Sequence, residues 1–168
     1  MLNTAPGIFT ATQTGSGQGA ILQQGSDGQF SYNRADNPAP KGAALEIFAT
    51  GAGVWTPPAL TDVFIDGVFF KTQPVLVTIG GQSARVQYAG TLATQSSWSV
   101  QQVNAVVPDG VGSGPQQVVL KIGTNDNSQQ KVTGGLGEMN SPGLNRFVGA
   151  SHGPVPTEVL IIPAAAAP

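Results

Sequence analysis

The sequence predicts an all-β fold, and three observations support this prediction. Short stretches alternate between apolar and polar residues with a period of two, which is the period of a β-strand. Glycine and proline are frequent, at 23 and 13 of the 168 residues, and they separate the apolar stretches as turn residues do. No stretch of useful length shows the helical period of about 3.6 residues. We therefore expect a β-sandwich of short strands joined by tight turns.

The strand predicted at Ala43–Thr50 is the one around which the other strands are organised. A polar segment containing prolines, Asn33–Lys41, precedes it, and a glycine-rich turn follows it. Proline cannot donate a hydrogen bond to a neighbouring strand, so this segment is expected at an edge of the sheet or outside it. Within the strand Leu45, Ile47 and Ala49 share one face, and we expect that face to pack into the core.

Three shorter strands are predicted before the central strand, with glycine-containing turns between them. They are Ala5–Ala11, Gly19–Gln24 and Gln29–Tyr32. Together with the segment that contains the prolines, they make residues 1–41 an N-terminal β-hairpin extension of the same domain. The sandwich itself is expected to span residues 42–133.

Five further strands are predicted after the central strand. They are Pro74–Gly80, Ala84–Tyr88, Trp98–Val107, Gln116–Ile122 and Ser128–Thr133. In the second of these, Val86 and Tyr88 are expected to point into the core together, because they are two residues apart.

A single core is predicted between the two sheets. Its expected members are Leu45, Ile47, Val77, Ile79, Val103, Val107, Val118 and Leu120. Along the strand that contains Val103, the apolar residues change from even to odd positions after Val100. A strand cannot change phase without exposing apolar side chains, so a β-bulge is expected near Gln101 and Gln102.

A long apolar excursion lies between the central strand and the next predicted strand. It carries four aromatic residues that are candidates for an interaction surface, namely Trp55, Phe64, Phe69 and Phe70. Aromatic side chains are favoured as interface anchors. The alternative is that they fold back over the end of the sandwich as a lid. Asn104 likewise has two interpretations, and an amide that holds a neighbouring loop backbone is favoured over a ligand contact.

Residues 134–168 are interpreted as an extension or tail, because they show no alternation until residue 158. There a β-branched apolar run follows, and its candidate residues for strand addition are Val159, Leu160, Ile161 and Ile162. An apolar strand without a partner favours association with an exposed sheet edge. The run is expected to stay unpaired, to add to its own sheet, or to add to a second molecule.

Composition argues against several classes of function. Only 10% of the residues are charged, the net charge is −2, and the seven cations are scattered, so no basic footprint for nucleic acid is expected. No apolar run approaches the roughly 20 residues of a membrane-spanning helix. The chain has no cysteine, which excludes disulfides and thiolate zinc sites. Met1–Thr4 lack the regions of a signal peptide, so any export signal is expected in a longer parent protein or has been removed.

The residues that could carry catalysis are few, and each has a simpler interpretation. The single histidine, His152, lies in the tail with no predicted nucleophile beside it. Most aspartates precede glycine or lie beside asparagine, where they form turns. Two groups are candidates for calcium, Asn125–Ser128 and the pair Asp62 and Asp66, and both are better explained as turns and caps. We therefore expect no enzyme activity, cofactor or metal.

Several short motifs occur in the order typical of one known family. They are Thr4–Phe9, Gly17–Ala20, Asn37–Ala39 with Gly42, Ala49–Gly53, Ile79–Gly81 with Ala84, Val86–Gly90, Gln102–Asn104 and Val107–Pro108. On these motifs, residues 4 to 133 resemble the uncharacterised bacterial domain known as the Solibacter-type carboxy-terminal domain. That domain is similar to the immunoglobulin-like IPT/TIG fold.

The resemblance implies an immunoglobulin-like β-sandwich at the end of a long exported protein. Two features depart from the family. Trp98–Gln101 stands where the family has a Gly-Leu-aromatic sequence, and Gly134–Pro168 extends beyond the usual end. The family has no established catalytic residues, so the resemblance implies a fold and an extracellular or cell-surface setting, without a mechanism.

One function is expected from these observations, and two alternatives to it are kept. The expected function is a non-enzymatic structural or adhesive module that contacts a protein or glycan at a cell surface. The first alternative is a carbohydrate-binding module that uses Trp55 and the nearby phenylalanines. The second alternative is a filament or oligomer subunit that associates with itself by strand addition through the tail.

Overall fold

The computed structural model describes residues 4–53, 55–56, 70–71, 73–91, 100–126 and 131–137. In these ranges the chain consists of strands and turns, which confirms the predicted all-β class. The strands are β1 (Gly7–Ile8), β2 (Gly17–Gln18), β3 (Ile21–Gln24), β4 (Phe30–Tyr32), β5 (Ala44–Thr50), β6 (Trp55–Thr56), β7 (Phe70–Lys71), β8 (Val75–Ile79), β9 (Gln82–Thr91), β10 (Gln101–Val106), β11 (Gly114–Ile122), β12 (Asn125–Asp126) and β13 (Val132–Leu136). Within the described ranges, no helix is both long enough and apolar enough to cross a membrane.

The described strands form one mixed sheet that curls into a half-barrel. The main path runs β2-β13-β11-β8-β9-β10-β5-β3-β4. β1 pairs with β5, β12 with β11, and the β6–β7 pair joins β9 through β7. The pairing of β13 with β2 is parallel, whereas the other strand pairs named here are antiparallel. A continuous path of this kind differs from the two separate sheets of the expected sandwich.

Strand β9 is the reason why the sheet is continuous. Its first residues, Gln82–Ala84, pair with β8, and the stretch from Arg85 to Thr91 pairs with β10. The ten-residue strand therefore belongs to both halves of the sheet. One half consists of β9, β10, β5, β3 and β4, and the other of β8, β11 and β13.

The core lies between these two halves. All eight residues predicted to form it are buried members of one apolar cluster, so this prediction is confirmed. The first half supplies Ile8, Ile21, Leu45 and Ile47, each with 0% of its surface exposed. The second half supplies Val77, Ile79, Val118, Leu120 and Ile122. Burial of these large aliphatic side chains is the main favourable term in the stability of the domain.

The bulge predicted near Gln101 and Gln102 is absent from that position. β10 alternates regularly, because Gln101, Val103 and Ala105 are all buried and the residues between them are partly exposed. Gln101 occupies a core position although it is polar. The polar character of this residue made the strand look as if it changed phase, and the prediction was therefore wrong.

The irregularity lies one strand away, in β9. Asn104 of β10 pairs with Tyr88, whereas Ala105 pairs with Val86, so Gln87 is the additional residue. An additional residue turns the following side chains to the opposite face. Val86 consequently packs against the core, while Tyr88 lies on the outer face beside Asn104. The prediction that Tyr88 points inward is therefore wrong.

The curl is held closed by the segment that precedes the central strand. The buried Asn33 side chain accepts a hydrogen bond from the Gly135 nitrogen at 2.8 Å. Its Nδ2 donates to the Gly135 carbonyl at 2.6 Å and to Gln23 Oε1 at 2.9 Å. Ala39 pairs with Leu136 in a parallel bridge. Strand β13 thus continues past residue 133, the expected end of the sandwich, and ties the two halves together.

Glycine is required at two of these junctions. A Cβ atom at Gly135 would lie 2.4 Å from the Arg34 carbonyl oxygen, closer than atoms can approach. At the end of the central strand, Gly51 has a φ of 74°, and a Cβ there would lie 1.7 Å from the Ala5 carbonyl oxygen. Both positions bring backbones closer together than any side chain allows.

Candidate functional site

A row of side chains crosses the outer face of the first half of the sheet. The register aligns five residues on adjacent strands from β4 to β9, and we call them the outer row: Tyr32, Leu22, Glu46, Asn104 and Tyr88. They face away from the core because their neighbours along each of the three central strands, such as Ile47 and Val103, are buried. Four of these five residues can form hydrogen bonds through a carboxylate, an amide or a hydroxyl group, and Leu22 is the exception.

A hydrogen-bonded polar group occupies the middle of the outer row. Gln102 donates from Nε2 to Glu46 Oε1 and to Asn104 Oδ1, both at 2.9 Å. All three side chains are partly exposed. Glu46 Oε2 and Asn104 Nδ2 have no hydrogen bond to another described residue, so one acceptor and one donor remain available side by side.

Partial burial raises the pKa of Glu46 above its ordinary value. The hydrogen bond from Gln102 acts in the opposite direction and is the smaller effect. Burial disfavours the charged carboxylate, whereas a donor beside it favours that form. A ligand that donates a hydrogen bond to Glu46 would therefore replace hydration that the carboxylate has partly lost.

Aromatic rings lie at the two ends of the outer row and near it. Tyr32 and Phe30 on β4 are 53% and 48% exposed, and Phe9 is 40% exposed. Tyr88 is less exposed, and its hydroxyl donates to the Thr91 carbonyl oxygen. Burial raises the pKa of Tyr88, and the bond to Thr91 lowers it by a smaller amount. Exposed rings of this size supply apolar contact area at low entropic cost.

A groove of about 530 Å³ adjoins the β4 end of the outer row, and we call it the edge groove. It runs between the loop after β1 and the corner after β4, and Tyr32 belongs to both the groove and the row. The polar residues that line it include Thr10, Gln13, Gln18 and Arg34. A second groove of about 600 Å³ lies against the same loop and shares Thr10 and Gln13 with it.

The loop between β1 and β2 is fixed by local hydrogen bonds. The Gln13 nitrogen donates to the Thr10 carbonyl at 3.0 Å, and the Gly15 nitrogen donates to Thr10 Oγ1 at 3.0 Å. Gln13 has a φ of 58°, and it is the described non-glycine residue in the left-handed region. Such a conformation is costly for a residue with a Cβ atom.

The free edge of β4 is occupied by a side chain of the same molecule. Asn37 Nδ2 donates to the Tyr32 carbonyl oxygen at 2.9 Å and to Ser31 Oγ at 3.0 Å. The backbones of Arg34 and Asn37 also form two reciprocal hydrogen bonds of 3.1 Å. Occupied edge groups cannot pair with an incoming strand, so this corner protects the edge.

The predicted interaction residues are only partly within the described ranges. Trp55 lies on β6 opposite Lys71, and Phe70 lies on β7 between Thr56 and Gly90. The hairpin backbone thus continues the first half of the sheet beyond β9. Phe64 and Phe69 lie outside the described residues, and so do Val159, Leu160, Ile161 and Ile162.

The candidates for catalysis and calcium binding are also mostly outside these ranges. His152, Asp62 and Asp66 belong to undescribed parts of the chain, and of the group Asn125–Ser128 the strand β12 contains the first two. Within the described ranges, no three histidine, cysteine, aspartate or glutamate residues lie together as metal ligands would.

Sequence reasoning named Asn104 but missed the residues around it. Among the described residues, the Asn104 side chain contacts Gln102 and holds no loop backbone, which contradicts the favoured interpretation. The signal for Glu46 was its alternation with Leu45 and Ile47, which places a carboxylate on the outer face. Its alignment with Asn104 depends on pairing between strands far apart in sequence, which the alternation does not reveal.

Comparison with known proteins identifies no relative. No family model, no curated protein and no solved structure matches this chain.

Proposed function

We propose that this chain is a non-enzymatic adhesive module of an exported bacterial protein, and that it binds its partner through the outer row. The extracellular setting is supported by the low content of charged residues, 10% of the chain, together with the resemblance described above. We further propose that the half-barrel is a variant of the immunoglobulin-like sandwich. The position of the core between two halves of one sheet supports that relationship.

The observation that carries this proposal is the composition of the outer face. The inner face of the same strands is mostly apolar, with Gln23 and Gln101 as buried polar exceptions, so the fold depends mainly on that face. The outer face presents an aligned acid and two amides, with an exposed ring at one end. Exposed aromatic rings beside convergent polar groups are characteristic of binding surfaces.

The proposal is tested by screening the wild-type chain against arrays of glycans and bacterial surface proteins. A partner found in this way is then measured with Gln102→Ala, which removes the donor shared by Glu46 and Asn104. Thr78→Ala, on the outer face of the other half of the sheet, is the matched control. We expect Gln102→Ala to weaken binding about tenfold, the effect of losing a hydrogen bond to a charged group. Equal binding by both variants would overturn the role of the outer row.

A glycan partner is the second candidate, and it is favoured by residues other than the predicted Trp55 and nearby phenylalanines. Tyr32, Phe30 and Phe9 are exposed rings on or beside the outer face. Sugar rings present apolar C–H faces and hydroxyl groups, which suit aromatic rings and amides respectively. The backbone of the β6–β7 hairpin, to which Trp55 and Phe70 belong, continues this half of the sheet beyond β9.

Strand addition at β4 receives less support. The side chain of Asn37 already occupies the Tyr32 carbonyl at that edge. Self-association through Val159, Leu160, Ile161 and Ile162 would therefore have to use another edge, such as β2 at the opposite end of the path. Deleting residues 138–168 and measuring the mass in solution tests this alternative, which a lost oligomer would support and an unchanged mass would contradict.

A further inference from the structure

We infer that the edge groove binds a carboxylate-bearing sugar unit, a uronate of an acidic polysaccharide. This inference rests on the proposed function, because the groove adjoins the outer row at Tyr32. A polymer that occupies the groove with one unit would extend along the outer row with the next units.

Arg34 supplies the charge that a uronate requires. Its side chain is 61% exposed, and its Nε atom lies 3.9 Å from Asp36 Oδ1, whose side chain is 81% exposed. An ion pair this long and this exposed is weak. The terminal nitrogens of Arg34 have no other described partner, and a guanidinium binds a carboxylate with two parallel hydrogen bonds. A ligand carboxylate can therefore compete with Asp36.

The other residues of the groove suit the rest of a sugar ring. Tyr32 offers an exposed aromatic ring on which the apolar face of a sugar can lie. Gln13 and Gln18 line the same groove, and each amide can donate to and accept from a hydroxyl group. Gln18 Nε2 already donates to the Gly19 carbonyl at 3.0 Å, which leaves its Oε1 available as an acceptor.

The conformation of Gln13 is a second and independent observation. Glycine would adopt a φ of 58° at this position without steric cost, yet the residue has a long amide side chain. Strained residues held by their surroundings are concentrated at ligand-binding sites. Thr10 accepts hydrogen bonds from the Gln13 and Gly15 nitrogens and so fixes the backbone of this loop, and Gln13 lines both grooves.

A sugar fits this groove better than a peptide does. Peptides commonly bind beside an edge strand by adding to the sheet. Here Asn37 already occupies the Tyr32 carbonyl at the β4 edge, so a backbone acceptor that a peptide strand would use beside the groove is taken. The remaining contacts are side-chain amides, a guanidinium and one ring, which recognise hydroxyl and carboxylate groups.

Binding to polygalacturonate, alginate and hyaluronate provides the first test. Each polymer is compared with the same polymer after its carboxylates have been reduced to alcohols, and with polyglutamate as an acidic peptide. We expect a uronate polymer to bind, and its reduced form to bind at least about tenfold more weakly, as expected for loss of a charge-assisted contact. Arg34→Gln should cause a similar loss. Arg85→Gln should not, because Arg85 lies on β9, separated from β4 by three strands.

Gln13 provides the second test, because its effect on binding can be separated from its effect on stability. Gln13→Gly should weaken binding to the uronate polymer several-fold while the midpoint of thermal unfolding stays equal or rises, since glycine relieves the strained φ. Gln13→Asn, which tolerates the left-handed region and keeps an amide, should retain more binding than Gln13→Gly. If Gln13→Gly binds like the wild type, this residue is not a ligand contact and the inference loses its second support.

Failure of this inference can be distinguished from failure of the proposed function. Equal binding of the native and reduced polymers, equal binding of polyglutamate, no binding of any uronate polymer, or an unaffected Arg34→Gln variant would each overturn the uronate site. The proposed function would still stand if another partner lost affinity in the Gln102→Ala variant. It would fail if Gln102→Ala had no effect on any partner found.

Discussion

The two faces of the first half of the sheet differ in burial and in the polarity of their side chains. On the inner face, Leu45, Ile47 and Val103 are completely buried and pack against the other half. On the outer face of the same strands, Glu46 and Asn104 are partly exposed and lie in register with each other. Along β5 and β10, one set of alternate residues packs into the core and the other set forms the outer surface. A substitution on one face should therefore change stability, and one on the other face should change binding.

The largest expected effect is on the inner face. Ile47→Ala should lower the free energy of unfolding by roughly 2–5 kcal/mol, because it removes buried methyl groups and leaves a cavity. Urea unfolding of the variant and the wild type measures this difference. Phe48→Ala, at the next residue on the partly exposed outer face, is the matched control and should cost less. Similar losses for both would remove the distinction between the two faces.

Gln101 is the exception on the inner face, and it offers the next test. Among the described residues, it is the buried side chain whose two polar atoms lack any hydrogen-bond partner. Asn33, an equally buried amide, forms three hydrogen bonds. Because an unsatisfied buried amide is costly, Gln101→Leu should raise the free energy of unfolding by about 1–3 kcal/mol. Asn33→Leu should lower it, since Gly135 and Gln23 would lose their partner.

Gln101→Leu and Asn33→Leu together distinguish a buried amide that lacks hydrogen-bond partners from one that has them. A loss of stability in Gln101→Leu would mean that this side chain has a partner, such as a buried water, and that the contrast with Asn33 is not valid.

The smallest expected effect concerns Glu46 and pH. The folded state raises the pKa of this carboxyl, so the folded chain binds the proton more tightly than the unfolded chain does. Stability from this group is therefore present at low pH and is lost as pH rises through the folded pKa. Glu46→Gln cannot lose that proton, so its stability relative to the wild type should increase from acidic to neutral pH. Paired urea titrations measure this difference, and a constant difference across the range would contradict the cause given for the shift.

The sequence predicted the inner face well and the outer face poorly. Alternation within one strand identifies buried residues such as Leu45 and Val103, because burial depends mainly on the local period. It failed at Tyr88, where the additional residue Gln87 reverses the phase, and at Gln101, where a polar residue occupies a core position. Both errors arise from tertiary structure overriding the local pattern.

The candidate site could not be predicted, because it depends on register. Glu46 and Asn104 are far apart in sequence and meet only when β5 and β10 pair. The same holds for the edge groove, where the loop that contains Gln13 lies beside Arg34. The strained φ of Gln13 could not be predicted from the sequence, because glutamine is not a residue that indicates a left-handed conformation.

Mapping the bound surface tests the central claim most directly. Two-dimensional NMR of the isotopically labelled chain, titrated with a partner found by the array screen, reports which amide signals shift. The account predicts that the shifts cluster at Glu46, Gln102 and Asn104 and extend towards Tyr32. Shifts that cluster instead around Leu76 and Thr78, on the outer face of the other half, would contradict it.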